Sequence, residues 1–377
     1  MSAPIRVLQI IDSMMVGGAE MLLYEFTSKL DSSEFETTVC FCENGPLFED
    51  FQKLGIFPVK VKWKLRVDPL LVFRMYREIR RIKPHIVHTH LFKSDFHGRL
   101  AARLAGVPVV FSTLHSCNDW ALNPVYGYGY GLTTIFADKI IAVADEVRDY
   151  AIKYSRIPSD WIVTINNAVR IEKFDSASNL APQIRKEFGI TPDMLLVGIV
   201  GRLEEVKDHA NFLGMASKIY QKNRNVRFLI VGDGSLREHL LALTNELGLS
   251  EAVIFTGLRK DIPAIMSALD LLVLSSRYEG LPVVVLEAMA ARKPVLVTRV
   301  SGLLGVVEDG KTGILVDPGD SDALAAACSH LLEQPELRVQ MGNAGYEKVK
   351  LKYSMSALID QLVDLYKTYL ARHKVVV

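Results

Sequence analysis

The chain has 377 residues, 49% of them hydrophobic and 23% charged, with a formal net charge of +1 at pH 7. That length predicts more than one domain, because single cores rarely grow beyond about 250–300 residues. The composition excludes a disordered chain, and the near-neutral balance excludes a generally basic nucleic-acid binder.

The first apolar run, residues 5–11, is too short for a signal peptide and stops at Asp12. No segment reaches the roughly 18 apolar residues of a membrane-spanning helix, so a soluble or peripheral protein is expected. After that run Gly17 and Gly18 precede a helix predicted to start near Ala19. Glycines there suit either a plain tight turn or an anion site at a helix start, and the pattern does not match a dinucleotide fingerprint. Further strands are predicted over 37–42, 58–61, 85–90, 108–113, 139–144 and 161–166, separated by amphipathic helical stretches. The runs are β-branched and apolar on both faces, as in a parallel sheet covered by helices.

Cys40 and Cys42 would share one face of the second strand as small hydrophobes. Together with Cys117 and Cys328 they give no zinc or redox spacing, which suits a reducing cytoplasm. Between Lys60 and Lys83 lie nine basic residues, at 60, 62, 64, 66, 74, 77, 80, 81 and 83, against Asp68 and Glu78. That segment reads either as a solvated basic helix with its apolar face on the sheet, or as a surface for anionic lipid headgroups. His85, His88, His90 and His97 form a dense group, but His88 and His90 share a strand face that His85 does not, so no metal site is expected. His115 follows the strand at 108–113, where a histidine serves either structure or hydroxyl and proton chemistry.

A polar stretch, 168–182, is followed by a second series of strands over 195–201, 226–234, 252–257, 271–276, 294–300 and 313–319, then helices only from 321 to 374. Two α/β units of similar size are therefore expected, with a boundary near residue 170. In such sheets ligands sit at the carboxyl ends of strands. Arg202 and Lys207 follow the strand at 195–201, placed either to neutralise a pyrophosphate or to pair with Glu204, Glu205 and Asp208. After the strand at 271–276, Glu279 lies in a loop with Gly280 and Pro282, and Glu287 follows on a helix. Eight residues of helix span about 12 Å, beyond the roughly 5–9.5 Å of a glycosidase carboxylate pair. A first-turn glutamate favoured by the helix dipole is the alternative reading of Glu287. Residues 305–312, GVVEDGKT, match a phosphate-loop pattern, yet a strand and not a helix follows them, so no nucleoside triphosphatase is expected.

GGAE at 17–20, His115, GRLEEVKD at 201–208, VGDGSLRE at 231–238, FTG at 255–257 and the paired Glu279 and Glu287 occur in one order over nearly the whole chain. In these motifs the sequence resembles the retaining glycosyltransferases of the GT-B fold, family four, also called group one. That resemblance implies two Rossmann-like domains with parallel sheets facing across a cleft. Residues 1–170 would form the acceptor-side domain, 171–355 the donor domain, and 356–377 a C-terminal helix packing towards the first. It implies that Gly201, Arg202 and Lys207 hold the diphosphate of a nucleotide sugar, that Glu279 binds hydroxyls of the transferred sugar, and that Gly280 and Leu281 add backbone contacts. Glu287 would hold the ribose, Leu258 and Arg259 would lie by the base, and Gly17 with Gly18 would approach the distal phosphate. His115 would contact the transferred sugar, although Ser116 stands where relatives often carry Asp or Asn. Implied too are retention, no metal or other cofactor, UDP as the favoured nucleotide, and a saccharide, lipid-linked or small-molecule acceptor in glycan, polysaccharide or glycolipid synthesis. A cytoplasmic protein in peripheral contact with the inner membrane face is the expected setting. A UDP-sugar 2-epimerase or hydrolase and a non-catalytic nucleotide-sugar-binding subunit are the competing readings.

Overall fold

The computed structural model describes residues 3–63, 68, 70–117 and 119–375; the basic residues Lys64 and Arg66 lie outside the described residues. The chain divides into two compact units, Met1–Asn167 with Met355–Val377, and Ala168–Ser354.

The first unit is built on a parallel sheet of seven strands: β1 (Ile5–Ser13), β2 (Phe35–Glu43), β3 (Val59–Lys60), β4 (Ile86–His90), β5 (Val109–Leu114), β6 (Lys139–Ala142) and β7 (Ile162–Thr164). Their order is β3-β2-β1-β4-β5-β6-β7. Every residue of β4 and β5 is buried, which is why these strands read as apolar runs without alternation. The helix Leu70–Ile82 covers one face by burying Leu71, Met75 and Ile79, four residues apart, against Leu8, Ile10, Val87 and Val110. Each such side chain contributes about 1.5–3 kcal/mol. Cys40 and Cys42 belong to the same core, and burial pushes the Cys42 thiol up to about 12. The C-terminal helix Met355–Arg372 completes the unit: Tyr366 is fully buried, with its ring 5.5 Å from that of Phe111.

The second unit carries a parallel sheet of six strands: β8 (Leu195–Val200), β9 (Val226–Val231), β10 (Val253–Gly257), β11 (Leu271–Leu274), β12 (Val295–Thr298) and β13 (Gly313–Val316), ordered β10-β9-β8-β11-β12-β13. Each predicted run holds a strand, several of them shorter at the carboxyl end. β9 stops at Val231 because Gly232 turns to φ 138°, where a Cβ would lie 1.9 Å from the Gly201 carbonyl oxygen. In both sheets the order reverses beside the first strand of the unit, between β1 and β4 and between β8 and β11. Connections leaving two such neighbours go to opposite faces, so each reversal opens a crevice at the carboxyl ends.

Candidate functional site

In the second unit the predicted residues gather at the β8/β11 reversal. β8 ends at Val200, Gly201 and Arg202 follow, and a single turn, Glu205–Lys207, leads to the helix His209–Lys222. Lys207 thus lies just ahead of that helix. Asp208 at φ 47° caps that helix through the Asn211 amide and takes the Arg277 guanidinium at 3.0 Å. Ser275, one residue beyond β11, donates to the carbonyls of Lys207 and Asp208 at 3.0 and 2.9 Å. These bonds tie the two strand ends together.

The Lys207 stem lies over Gly201, whose Cβ position is 3.6 Å from Lys207 Cδ. Its ammonium meets Glu279 Oε1 at 2.6 Å, and Ser276 donates to the same oxygen at 2.6 Å. Of the partners expected for a solvated lysine, Glu204 turns instead to Ser235 and Asp208 to Arg277. Arg202 is exposed and pairs with no described residue.

Gly280 and Leu281 run on from Glu279, held by a close backbone contact: a Cβ on Gly302 would sit 1.3 Å from the Gly280 carbonyl oxygen. Pro282 is the N-cap of the helix Val283–Ala290 and not a residue of its first turn. Glu287 is the fifth residue of that helix, half-buried, and no acidic residue occupies the first turn, so the dipole reading of Glu287 does not apply. Leu258 is 55% exposed beyond β10. The Arg259 guanidinium is held by Asp261 at 2.6 and 2.8 Å and by Glu187.

His209 escaped the sequence reading. It is buried, neither ring nitrogen has a hydrogen-bond partner among the described residues, and burial lowers it to about 4. The signal was its place directly after Lys207 and Asp208.

In the first unit Gly17 caps the helix Gly18–Lys29, one residue earlier than predicted, and Ser13 donates to Glu20 at 2.8 Å across the loop. His115 follows β5 and meets His90, the last residue of β4, with 3.1 Å between Nε2 and Nδ1. His90 Nε2 lies 2.9 Å from Gln9 Oε1, and Gln9 Nε2 donates to the Tyr366 hydroxyl at 3.3 Å. That hydroxyl is 2.6 Å from His88 Nδ1, while His88 Nε2 is 2.7 Å from Thr113 Oγ1. Three histidines therefore do converge, with His115 in the place that His85 was considered for; the Arg6 amide donates to His85 instead. Every ring nitrogen of His88 and His90 is committed to a hydrogen bond. Burial pushes His88 down to about 3, His115 to about 4 and His90 well below its ordinary value, so all three are neutral near pH 7.

Two further motifs resolve as structure. In the phosphate-loop lookalike, Lys311 pairs with Glu308 at 2.8 Å, and Thr312 accepts from the Glu308 amide ahead of β13. An Asp-x-Asp that the motif reading had missed stands at 320–322: Asp320 caps the helix Ser321–Glu333 and Asp322 pairs with Lys218 at 2.6 Å. No group of His, Cys, Asp or Glu among the described residues is arranged to hold a metal ion.

Sequence comparison gives two family matches, Glycosyltransferase Family 4 over residues 16–173 and Glycosyl transferases group 1 over residues 181–348. Alpha-D-kanosaminyltransferase of Streptomyces kanamyceticus is 30% identical over 79% of this chain and 81% of its own. The chain is a family 4, group 1 glycosyltransferase. Another family member, the UDP-Gal:alpha-D-GlcNAc-diphosphoundecaprenol alpha-1,3-galactosyltransferase of Escherichia coli, is 28% identical over 93% of this chain and 94% of its own. Among solved structures, Anabaena Alr3699/HepE in complex with UDP-glucose matches with a TM-score of 0.86 and 21% identity, over 96% of this chain and 99% of that one. That agreement fixes the fold as GT-B, with two Rossmann-like units.

Proposed function

We propose that this glycosyltransferase moves a hexose or N-acetylhexosamine from a UDP-sugar to an acceptor hydroxyl, with retention and without a metal ion. The observation carrying this reading is the pairing of Lys207 with Glu279 beside the unpaired Arg202 at the β8/β11 reversal. A sugar diphosphate needs cations for its phosphates and a carboxylate for its hydroxyls, adjacent and in that combination.

When the bond from the sugar carbon to phosphate breaks, its electron pair leaves on the phosphate oxygen. Arg202, Lys207 and the free amides at the start of the helix Val283–Ala290 stabilise that charge. The acceptor oxygen bonds to the same carbon on the face the leaving group vacates, and its proton passes to the departing phosphate oxygen. Glu279 receives hydroxyls of the transferred sugar, Glu287 those of the ribose, and the backbone about Leu258 and Arg259 lies by the base. Gly17 and Gly18 would approach the distal phosphate, and His115 would accept a hydrogen bond from a sugar hydroxyl. UDP is supported by the UDP-Gal donor named for the Escherichia coli relative and by the UDP and UDP-glucose bound to Alr3699/HepE.

For the acceptor we propose a lipid-linked saccharide. That relative's diphosphoundecaprenol acceptor supports it, as do the exposed Leu70, Phe73, Arg77, Arg80, Arg81 and Lys83 on and after the helix Leu70–Ile82. Sedimentation with anionic vesicles at low and high salt tests the membrane half: salt-sensitive binding is expected, and none would remove it. A thermal-shift panel of nucleotide sugars, followed by product analysis with the best stabiliser, tests the donor half. Selective stabilisation by UDP-sugars is expected, whereas rapid epimer or free sugar formation without acceptor would replace transfer by epimerisation or hydrolysis.

A further inference from the structure

The hydrogen bonds behind His115 have a direction, and it follows from Gln9. The amide oxygen of Gln9 only accepts, so His90 Nε2 carries a hydrogen and donates to it. A neutral His90 then has a bare Nδ1, which accepts from His115, so the His115 proton sits on Nε2. On the other side Gln9 Nε2 donates to the Tyr366 hydroxyl, leaving that hydroxyl's own hydrogen for His88 Nδ1. His88 in turn donates from Nε2 to Thr113. Every member has one consistent role, and the remaining atom is His115 Nδ1, buried and without a partner among the described residues. It borders a cavity of the first unit that is also lined by Leu22, Phe26, Ile141, Val143 and Leu358.

We infer that Gln9 and Tyr366 are positioning residues: through His90 they hold His115 in the tautomer with its proton on Nε2 and a bare Nδ1 to accept a hydroxyl hydrogen. The functional consequence rests on the role proposed for His115 above, but the tautomer does not. The cavity is walled mainly by apolar side chains, with Thr113 and Asn167 as polar members, and a substrate hydroxyl entering it would satisfy Nδ1, because an unpaired buried polar atom costs about 1–3 kcal/mol. With the Gln9 amide oriented as it stands, oxygen to His90 and nitrogen to Tyr366, the other tautomer would offer a donor there and would set two N–H groups, or two lone pairs, against each other along the chain of histidines. Tyr366 comes from the C-terminal helix, so the state of His115 depends on a residue some 250 positions away in sequence, beyond the entire second unit.

The test begins with long-range proton–nitrogen correlation of the full chain labelled at histidine nitrogens. His115 is expected as the Nε2–H tautomer, with mixed tautomers in Gln9→Leu. Turnover should fall about 10- to 100-fold in Gln9→Leu and less in Tyr366→Phe, with the donor KM changed by no more than about twofold. In a His115→Ala background the same two substitutions should lower turnover no further. An Nδ1–H tautomer in the native chain, or an undiminished effect of Gln9→Leu without His115, overturns the inference. If Gln9→Leu does not fold, Tyr366→Phe removes a single oxygen and carries the kinetic arm. A chain inactive with every nucleotide sugar would sink the functional reading while leaving the tautomer measurement to decide this one.

Discussion

Acidification should unfold the first unit before it affects much else. His88, His90 and His115 are buried and neutral, with ordinary values lowered to about 3, well below 6.5, and about 4 respectively. In the unfolded chain each titrates near 6.5. Their folded values are depressed, so the unfolded state binds protons first as pH falls, and stability is lost from about pH 6.5 downwards. From about pH 7.5 to 5.5 one such histidine costs about 1.4 kcal/mol, and three cost about 4 kcal/mol. Domains are commonly stable by only about 5–15 kcal/mol, so the loss is a large share. With a urea slope of about 2 kcal/mol per molar, the midpoint should drop by about 2 M.

All three tryptophans, Trp63, Trp120 and Trp161, belong to the first unit, so their fluorescence follows that unit alone. The burial-raised carboxyls of Asp12 and Asp95 act in the opposite sense, since there the folded state takes the proton first. His115→Gln removes one histidine and leaves those carboxyls in place, so the acid loss should shrink by about 1.4 kcal/mol. A midpoint constant across this range, or an acid loss identical in native and His115→Gln proteins, would refute the buried neutral cluster.

Lys207→Ala or Arg202→Ala should each lower turnover about a hundredfold or more, measured with the preferred UDP-sugar; near-normal rates would withdraw the diphosphate assignment. Gly302→Ala forces a methyl into the Gly280 carbonyl, so it should cost about 1–3 kcal/mol and abolish stabilisation by UDP-sugar in a thermal shift. Glu279→Gln removes a negative charge beside Lys207, so bare UDP should bind more tightly and UDP-glucose less tightly by calorimetry. Parallel changes for the two ligands would show that Glu279 does not read the sugar.

The sheets were legible because strands buried on both faces must be apolar throughout, although Val283–Leu286 has the same look and opens a helix. Strand ends were less so: the halt of β9 depends on how close Gly232 comes to Gly201, a contact between strand ends 31 residues apart. The same limit governs the site. Lys207 and Glu279 stood out singly at strand ends, and the resemblance grouped them, but their ion pair requires β8 and β11 to be neighbours, which only the sheet order states. His115 was visible, whereas its support was not, since Gln9 reads as one polar residue inside an apolar strand and Tyr366 as one aromatic on a helix. Arg99 is the extreme case. Fully buried, it donates to Ser112 and Tyr130 at 2.5 and 2.6 Å beside Asp95, and no local pattern distinguishes it from a surface arginine.

The two halves of the proposed machinery differ in a way their surroundings explain. Around Lys207 the charges are only partly buried, so ions persist there at modest cost, and the proposed diphosphate would exchange one set of charged partners for another. Around His115 the cluster is shut away from water, and each ionisable ring stays neutral because burial is compensated by no anion among the described residues. In the proposed reaction, charge neutralisation would therefore fall to the second unit, and directional hydrogen bonding without net charge to the first. A hydrogen bond to a neutral acceptor discriminates by geometry and not by field, so changes behind His115 should alter turnover with little dependence on salt. Changes at Arg202 should show the opposite, because that cation is exposed to the screening ions.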